Sequence, residues 1–342
     1  MPTRYKNIAV IGAGAMGQGI AQIAAQAGSQ VKLFDKDPSA SARARQAVSG
    51  QWDKLVAKGK IDVAAAAACV ARMALPATLA ELSDCDLVIE AIVERLEVKK
   101  ALFTELESIV SAQAVLVTNT SSLSVTAIAA GLKHPERFAG YHFFNPVPLM
   151  KVVEVIHGLK TSANTCEGLT QYAREMGHTP VLAQDTPGFI VNHAGRGYGT
   201  EALRIVSEGI ADFATIDRIL KDQAGFKLGP FELMDLTALD VSHPVMESIY
   251  HQYYEEPRYR PSVITAQRLA GGLLGRKTGE GFYRYANGVA EWPAEAAVPV
   301  ISDMPPVWVS PRASRRAELL LLLKTLGATI EVRIVNAPDL WG

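Results

Sequence analysis

The chain has 342 residues, 49% of them hydrophobic and 20% charged, with a formal net charge of -1. That length suits two or three domains, and the even charge balance gives no reason to expect nucleic acid or an anionic membrane as the main partner, leaving a small ligand or a protein. Cys69, Cys85 and Cys166 stand singly, with no CxxC spacing and no histidine cluster beside them, so neither a disulfide framework nor a metal site is expected and they read as reduced thiols of a cytoplasmic protein.

From Met1 the chain passes Arg4 and Lys6 directly into an apolar run, which predicts no signal or transit segment. Residues 7–11 read as a buried parallel strand, Gln18 to Ala27 as a helix stopped at Gly28, and residues 31–35 as a second strand. This is a βαβ unit. Pro38 to Lys60 and Asp62 to Arg72 read as helices, the second around the alanines 64–68. Two further strands, 87–91 and 115–118, flank a helix over 96–110, and such alternation predicts a doubly wound α/β domain. Beyond Asp185-Thr186-Pro187-Gly188 the strand signal fades and amphipathic stretches take over: 189–208, 213–223, 231–254 and 262–270. A second, all-helical domain is expected there. From Ala296 a third character appears, with a strand at 307–309, a helix over 314–326 and a strand over 328–334, a short βαβ-like extension. The apolar run Leu319 to Leu323 is far too short to span a membrane. The expected division is 1–186, 187–290 and 291–342.

Gly12-Ala13-Gly14-Ala15-Met16-Gly17 follows a strand, opens a helix and precedes an acid at the end of the next strand. That context makes the glycine pattern specific for a dinucleotide. Gly12 permits the tight turn, Gly14 lets backbone approach a pyrophosphate, and Gly17 lets the helix lie on the sheet with its positive end aimed at phosphate. Asp35, eighteen residues after Gly17, is placed to accept from the adenosine ribose. A carboxylate there repels a 2′-phosphate, so NAD is expected over NADP.

Oxidising a secondary alcohol needs a base within hydrogen-bond reach of the hydroxyl, with a pKa near working pH. Of seven histidines, His134, His157, His178, His193, His243 and His251 read as core or surface residues. His142 ends a predicted strand, 138–143, at the carboxyl edge of the sheet, where open α/β sheets place their sites. Glu154 lies in the next apolar stretch, 151–156. If the chain folds back about Pro148, the two positions are symmetric around it and meet, and a carboxylate on the second ring nitrogen would fix the tautomer.

The glycine turn, Ala91-Ile92-Val93-Glu94, Asn119-Thr120-Ser121-Ser122, His142-Phe143-Phe144-Asn145-Pro146, Asp185-Thr186-Pro187-Gly188-Phe189-Ile190-Val191-Asn192 and the run from Gly275 to Tyr283 together resemble the L-3-hydroxyacyl-CoA dehydrogenase family, which includes the 3-hydroxybutyryl-CoA dehydrogenases. The resemblance covers about residues 5 to 285 in matching order. It implies NAD as cofactor, (3S)-3-hydroxyacyl-CoA oxidised to the 3-keto form, and a place in fatty-acid β-oxidation, butanoate or phenylacetate metabolism, with 3-hydroxybutyryl-CoA and 3-hydroxyadipyl-CoA both open as substrates. It assigns catalysis to His142, Glu154, Ser121 and Asn192, the last two also touching substrate. Around the cofactor it assigns Gly12, Gly14, Met16, Gly17, Asp35, Glu94, Lys99, Asn145 and Lys277; taken alone, Lys99 and Lys277 read as solvated surface charges. Lys58 is the implied contact for the CoA phosphates, and a homodimer is implied.

Gln51 departs from a family serine, which removes one implied CoA contact. Gly195, Gly197 and Gly199 also depart from a bulkier family run and point to a close helix contact or an enlarged acyl pocket. The tail from 296 resembles the linker of longer bacterial members that carry a second helical domain, so either the chain is a truncated form or its short tail packs elsewhere. Competing readings are a sugar-acid dehydrogenase of the L-gulonate type and a non-catalytic crystallin-like protein.

Overall fold

Short, wholly apolar runs separated by helix formers build a central sheet. In the computed structural model, residues 4–295, 297 and 305–331 are described. Strands β1 (Asn7–Ile11), β2 (Gln30–Phe34), β3 (Met73–Ala74), β4 (Leu87–Glu90), β5 (Val115–Thr118), β6 (Phe138–Phe143), β7 (Val152–His157) and β8 (Thr179–Gln184) hydrogen-bond in the order β3-β2-β1-β4-β5-β6-β7-β8. Neighbours are parallel except β6 and β7. Strands covered on both faces carry near-continuous apolar sequence, and Ile8, Ala9 and Val10 of β1 are fully buried.

Helices α1 (Ala15–Gln26), α2 (Pro38–Ala57), α3 (Val63–Ala71), α4 (Leu96–Ile109), α5 (Val125–Ala129) and α6 (Ala163–Glu175) cover the two faces. One face gathers Ile20, Ile23, Leu33, Trp52 and Tyr172; the other gathers Phe103, Leu106, Leu116, Ile128 and Phe138. Local chemistry sets the helix starts. Asp37 accepts from the Ser39 amide at 2.9 Å with Pro38 in the first turn, and Asp62 accepts from the Ala65 amide at 2.6 Å, each satisfying an amide that has no intrahelical partner.

The chain then becomes helical: α7 (Val191–Ala194), α8 (Arg196–Ser207), α9 (Phe213–Arg218) with a π turn over Ile219–Gln223, α10 (Pro230–Thr237), α11 (Leu239–Gln252) and α12 (Val263–Ala270), closed by the hairpin β9 (Arg284–Ala286) and β10 (Val289–Glu291). Two expected helices are divided. The 231–254 stretch breaks at Ala238, which takes φ 65°, and the 189–208 stretch starts only at Val191 and pauses at Gly195. Of the three glycines, Gly199 meets the helix contact that was expected, because an added Cβ would sit 3.3 Å from Met234 of α10; beside Gly197 there is open space.

The described residues gather into two compact units, one ending at Glu291 and one starting at Trp292. In the second, β11 (Val307–Trp308) and β12 (Ile330–Glu331) pair in parallel around α13 (Arg316–Thr325). The expected strand over 328–334 is described only as far as Glu331, and 332–334 lie outside the described residues. Among the described residues no helix is long and apolar enough to cross a membrane. Cys69, Cys85 and Cys166 are free thiols, and burial pushes Cys85 up to about 12.

Candidate active site

The glycine turn lies at the carboxyl end of β1. Gly12 holds φ +103°, and a Cβ there would fall 2.4 Å from the Ala91 carbonyl oxygen; a Cβ on Gly17 would fall 1.8 Å from that of Gly12. The turn can be made only of glycine at these two places. Gly14, by contrast, has nothing within 4 Å of an added Cβ. It caps α1 without any side-chain bond, and the first turn of that helix, which includes Met16, carries no acid. Free amides, a positive helix end and open space form a cradle for a pyrophosphate.

Asp35, just past β2, accepts from the Ala13 amide at 2.8 Å through Oδ2 and from the Asp37 amide at 3.0 Å through Oδ1. The residue is half-buried, which leaves its outer edge to a ribose. These residues fit NAD.

Across the sheet, the β6–β7 ladder sets His142 directly opposite Glu154. Neighbouring antiparallel residues on one face lie close enough for side chains to meet, and His142 Nδ1 stands 2.6 Å from Glu154 Oε2. Glu154 is fully buried and His142 nearly so. Burial raises the Glu154 carboxyl, but the bond to His142 and the amides of Val191 and Ile190 outweigh it, so its pKa is lowered. Glu154 is therefore the anion, and Nδ1 carries the proton it accepts. The His142 ring sits against those of Phe144 and Phe189, with ring centres 4.4 and 5.9 Å away.

Glu154 Oε1 accepts from the Ile190 and Val191 amides, both at 2.9 Å. One carboxylate thus orients the imidazole and anchors the start of the helical region. Asn192 follows at once and donates to the Ser121 carbonyl oxygen at 3.2 Å, so a chain of hydrogen bonds links Ser121 and the start of the helical region to Glu154 and His142.

Ser121 sits on a turn held from beneath. Glu94 Oε1 accepts from Thr120 Oγ1 at 2.5 Å and from the amides of Ser121 and Ser122 at 2.9 and 3.2 Å. Its other oxygen lies 3.2 Å from Lys99 Nζ, and Lys99 also donates to Glu90 at 2.5 Å. Burial pushes the Glu94 carboxyl up, but Lys99 and these donors pull it further down. Read alone as a surface charge, Lys99 is instead 1% exposed: a lysine one turn into a helix sinks when an acid at the end of β4 and another in the loop that follows receive it.

Other expected residues stay apart from this cluster. Asn145 is exposed, beside the cis bond to Pro146. Lys58 is exposed at the carboxyl end of α2, and Lys277 pairs with Asp240 in the helical region. Sequence reading passed over four supports. Glu90 is fully buried and holds Thr118 Oγ1 at 2.7 Å as well as Lys99. Asn119 Oδ1 receives the Phe143 amide at 2.9 Å, Gln252 donates to the Ser122 carbonyl at 2.9 Å, and Asp185 receives the amides of Val125 and Thr126. An acid inside an otherwise apolar strand was the available signal for Glu90.

A doubly wound sheet with this glycine cradle and acid defines an NAD-dependent dehydrogenase. Residues 7–186 match the family described as 3-hydroxyacyl-CoA dehydrogenase, NAD binding domain, and residues 188–285 match its C-terminal domain. The 3-hydroxyadipyl-CoA dehydrogenase of Escherichia coli K12 is 41% identical over 98% of this chain and 71% of its own length. The crystal structure of 3-hydroxybutyryl-CoA dehydrogenase from Escherichia coli K12 superposes with a TM-score of 0.84 at 42% identity, over 89% of this chain; this chain spans only 63% of that one. That of (S)-3-hydroxybutyryl-CoA dehydrogenase from Ralstonia eutropha gives 0.80 at 35% identity, over 83% of this chain and all of its own. The chain belongs to the 3-hydroxyacyl-CoA dehydrogenase family.

Proposed function

We propose that this chain interconverts (3S)-3-hydroxyacyl-CoA and 3-ketoacyl-CoA, with His142 as general base and acid. The observation that carries this reading is the buried His142–Glu154 pair, 2.6 Å apart, on facing strands. A bound nicotinamide would supply a hydride acceptor for C3 and, in its reduced form, the hydride for the reverse reaction. His142 Nε2 accepts the 3-hydroxyl proton in the oxidising direction and donates it in reverse. Glu154 holds the ring in the tautomer that leaves Nε2 free and stabilises the imidazolium once the proton has moved.

Asn192 and Ser121 orient the 3-oxygen, and the flanking Phe144 and Phe189 rings keep water from the proton path. Gly12, Gly14, Met16, Gly17 and Asp35 hold the adenosine end of the cofactor; Glu94, Lys99, Asn145 and Lys277 lie toward the nicotinamide side, and Lys58 meets the CoA phosphates. The enzyme acts as a cytoplasmic homodimer. Purified protein should oxidise NADH with acetoacetyl-CoA. Absence of turnover with any 3-ketoacyl-CoA, alongside activity on L-gulonate, would replace this reading with a sugar-acid dehydrogenase, and inactivity on both would favour a structural role.

A further inference from the structure

The sequence reads His193 as a core or surface residue, yet the structure gives both of its ring nitrogens a partner. Nδ1 lies 2.8 Å from Tyr253 Oη, and Nε2 lies 3.4 Å from Tyr259 Oη. The three rings form a triangle, with centres 5.4 Å apart on the two sides that meet at His193 and 4.7 Å apart on the third. A neutral imidazole donates through one nitrogen and accepts through the other, and a phenol can do either. The ring is therefore held in its plane without any charge. Tyr253 stands just past the carboxyl end of α11, and Tyr259 closes the short turn Pro257–Tyr259 that follows.

What the triangle holds is α7. That helix has four residues, Val191–Ala194, and a helix so short has no stability of its own, since isolated helices need roughly 12–15 residues to persist. Its orientation is set by what grips it. From the sheet, Glu154 Oε1 takes the amides of Ile190 and Val191. On a second side, Asn192 donates to the Ser121 carbonyl at 3.2 Å. Successive helix residues project about 100° apart, and His193 supplies the third grip, on the end of α11. The same edge of α11 reaches this joint twice more. Gln252 donates to the Ser122 carbonyl at 2.9 Å, and a Cβ added to Gly188, whose carbonyl receives the His193 amide at 3.0 Å, would fall 2.9 Å from Ile249 Cδ1. The turn that bears Ser121 and the helix that bears Asn192 are thus both referred to one helix end.

We propose that His193, bonded to Tyr253, is a positioning residue for Asn192: it fixes the rotation of α7 and so the direction in which the Asn192 amide points. The assignment rests on Asn192 orienting the 3-oxygen of the substrate. His193 itself moves no proton in the reaction. A misplacement of about 1 Å in an orienting group can cost as much as 10²-fold in rate, and a loss of alignment that is felt in the chemical step falls on kcat. The glycine turn and Asp35 share none of these bonds, so NADH binding is not expected to respond.

The test is a double-mutant cycle read in acetoacetyl-CoA reduction. His193→Leu keeps most of the bulk and loses both bonds; it should lower kcat about tenfold while the KM for NADH stays within about twofold of wild type. Tyr253→Phe removes one hydroxyl from a half-buried ring and should lower kcat about three- to tenfold with little change in melting temperature. His193→Asn puts an amide atom where Nδ1 stood and should recover most of the wild-type kcat. Asn192→Ala is slow by itself, and in that background His193→Leu should cost no more than about twofold, because the residue it positions is gone. Wild-type kcat in both His193→Leu and Tyr253→Phe overturns the assignment. So does a tenfold loss that persists in the Asn192→Ala background, or one that follows melting temperature and is not recovered by His193→Asn. Asn192→Ala with wild-type turnover removes Asn192 from the mechanism and this assignment with it. A wild-type enzyme that turns over acetoacetyl-CoA beside unaffected variants sinks His193 alone; no turnover of any 3-ketoacyl-CoA by wild type sinks the dehydrogenase reading as well.

Discussion

Glu154 at the sheet and Asp217 and Asp235 in the helical region are all fully buried acids held by backbone amides, yet their protonation is driven in opposite directions. Burial is the largest influence on all three. At Glu154 it is outweighed by His142 and two amides, and the pKa is lowered. At Asp217 and Asp235 the opposing groups are mainly amides and phenols, and the pKa of each stays raised. A ring that can itself take a proton makes the difference: a buried acid alone is no pointer to catalysis, whereas a buried acid against an imidazole is a candidate for it.

The aspartates do mechanical work. Asp217 accepts from the amides of Phe231 and Glu232, both at 3.0 Å, and from Tyr283 Oη at 2.8 Å. Asp235 accepts from the amides of Phe282 and Tyr283 at 2.9 and 3.0 Å and from Tyr285 Oη at 2.9 Å. Together they lash the 275–285 segment to α10. Gly281 is pressed so closely there that an added Cβ would lie 2.1 Å from Asp235 Oδ1, which gives the motif glycine a packing role.

The strongest way to break this contrast is His142→Gln. It should lower kcat by about 10²–10⁴-fold with NADH affinity and melting temperature close to wild type, read by steady-state kinetics, cofactor titration and thermal unfolding. Wild-type turnover would remove His142 from the mechanism. Next comes Glu154→Gln, expected to cost about 10²-fold in kcat and roughly 1–3 kcal/mol of stability, since it disturbs the Ile190 and Val191 amides too. With the folded pKa of Glu154 depressed, its stabilisation is complete above the ordinary value of 4.5 and is lost as pH falls through the lower folded value.

Asp235→Asn should divide the two regions cleanly. It should cost about 3 kcal/mol of stability while kcat at 25 °C stays within a few-fold of wild type. The sign of its pH dependence is opposite. With the folded pKa raised, the part of the Asp235 contribution that depends on its proton is complete below the ordinary value of 3.8 and is lost as pH rises through the folded value. Urea midpoints measured across the acid range should therefore change in opposite senses in the Glu154 and Asp235 variants. A shared sense would sink the contrast.

Much of the sheet half was legible because its signals are local. The glycine turn is contiguous, and the symmetry of positions 142 and 154 about Pro148 anticipates the observed register, since an antiparallel ladder pairs residues equidistant from its turn. The aspartate clamps were not legible. Asp217 and Asp235 meet partners 14 to 66 residues away, with no periodicity to announce it. Likewise the break at Ala238 depends on a left-handed backbone that alanine seldom takes, so the 231–254 pattern read as one helix. Lys99 looked solvent-facing because its helix pattern does not show the two acids waiting beneath it.

The smallest effect concerns a charge pair that is neither buried nor cleft-forming. Lys277 binds Asp240, with the two side chains 50% and 37% exposed, and such pairs contribute about 0–1 kcal/mol. If Lys277 also reaches the cofactor, its share of that attraction is of the same size, so Lys277→Ala should raise the NADH dissociation constant no more than about fivefold. The rise should shrink as salt is added, because exposed charges are screened over roughly 8–10 Å at ordinary ionic strength. Asp240→Asn frees the ammonium and should tighten NADH slightly under the same low-salt conditions. No change in either variant would confine Lys277 to Asp240. An exposed lysine between two acceptors then differs from Lys99 in degree of burial, and that alone decides whether its loss is felt in the fold or only in a titration.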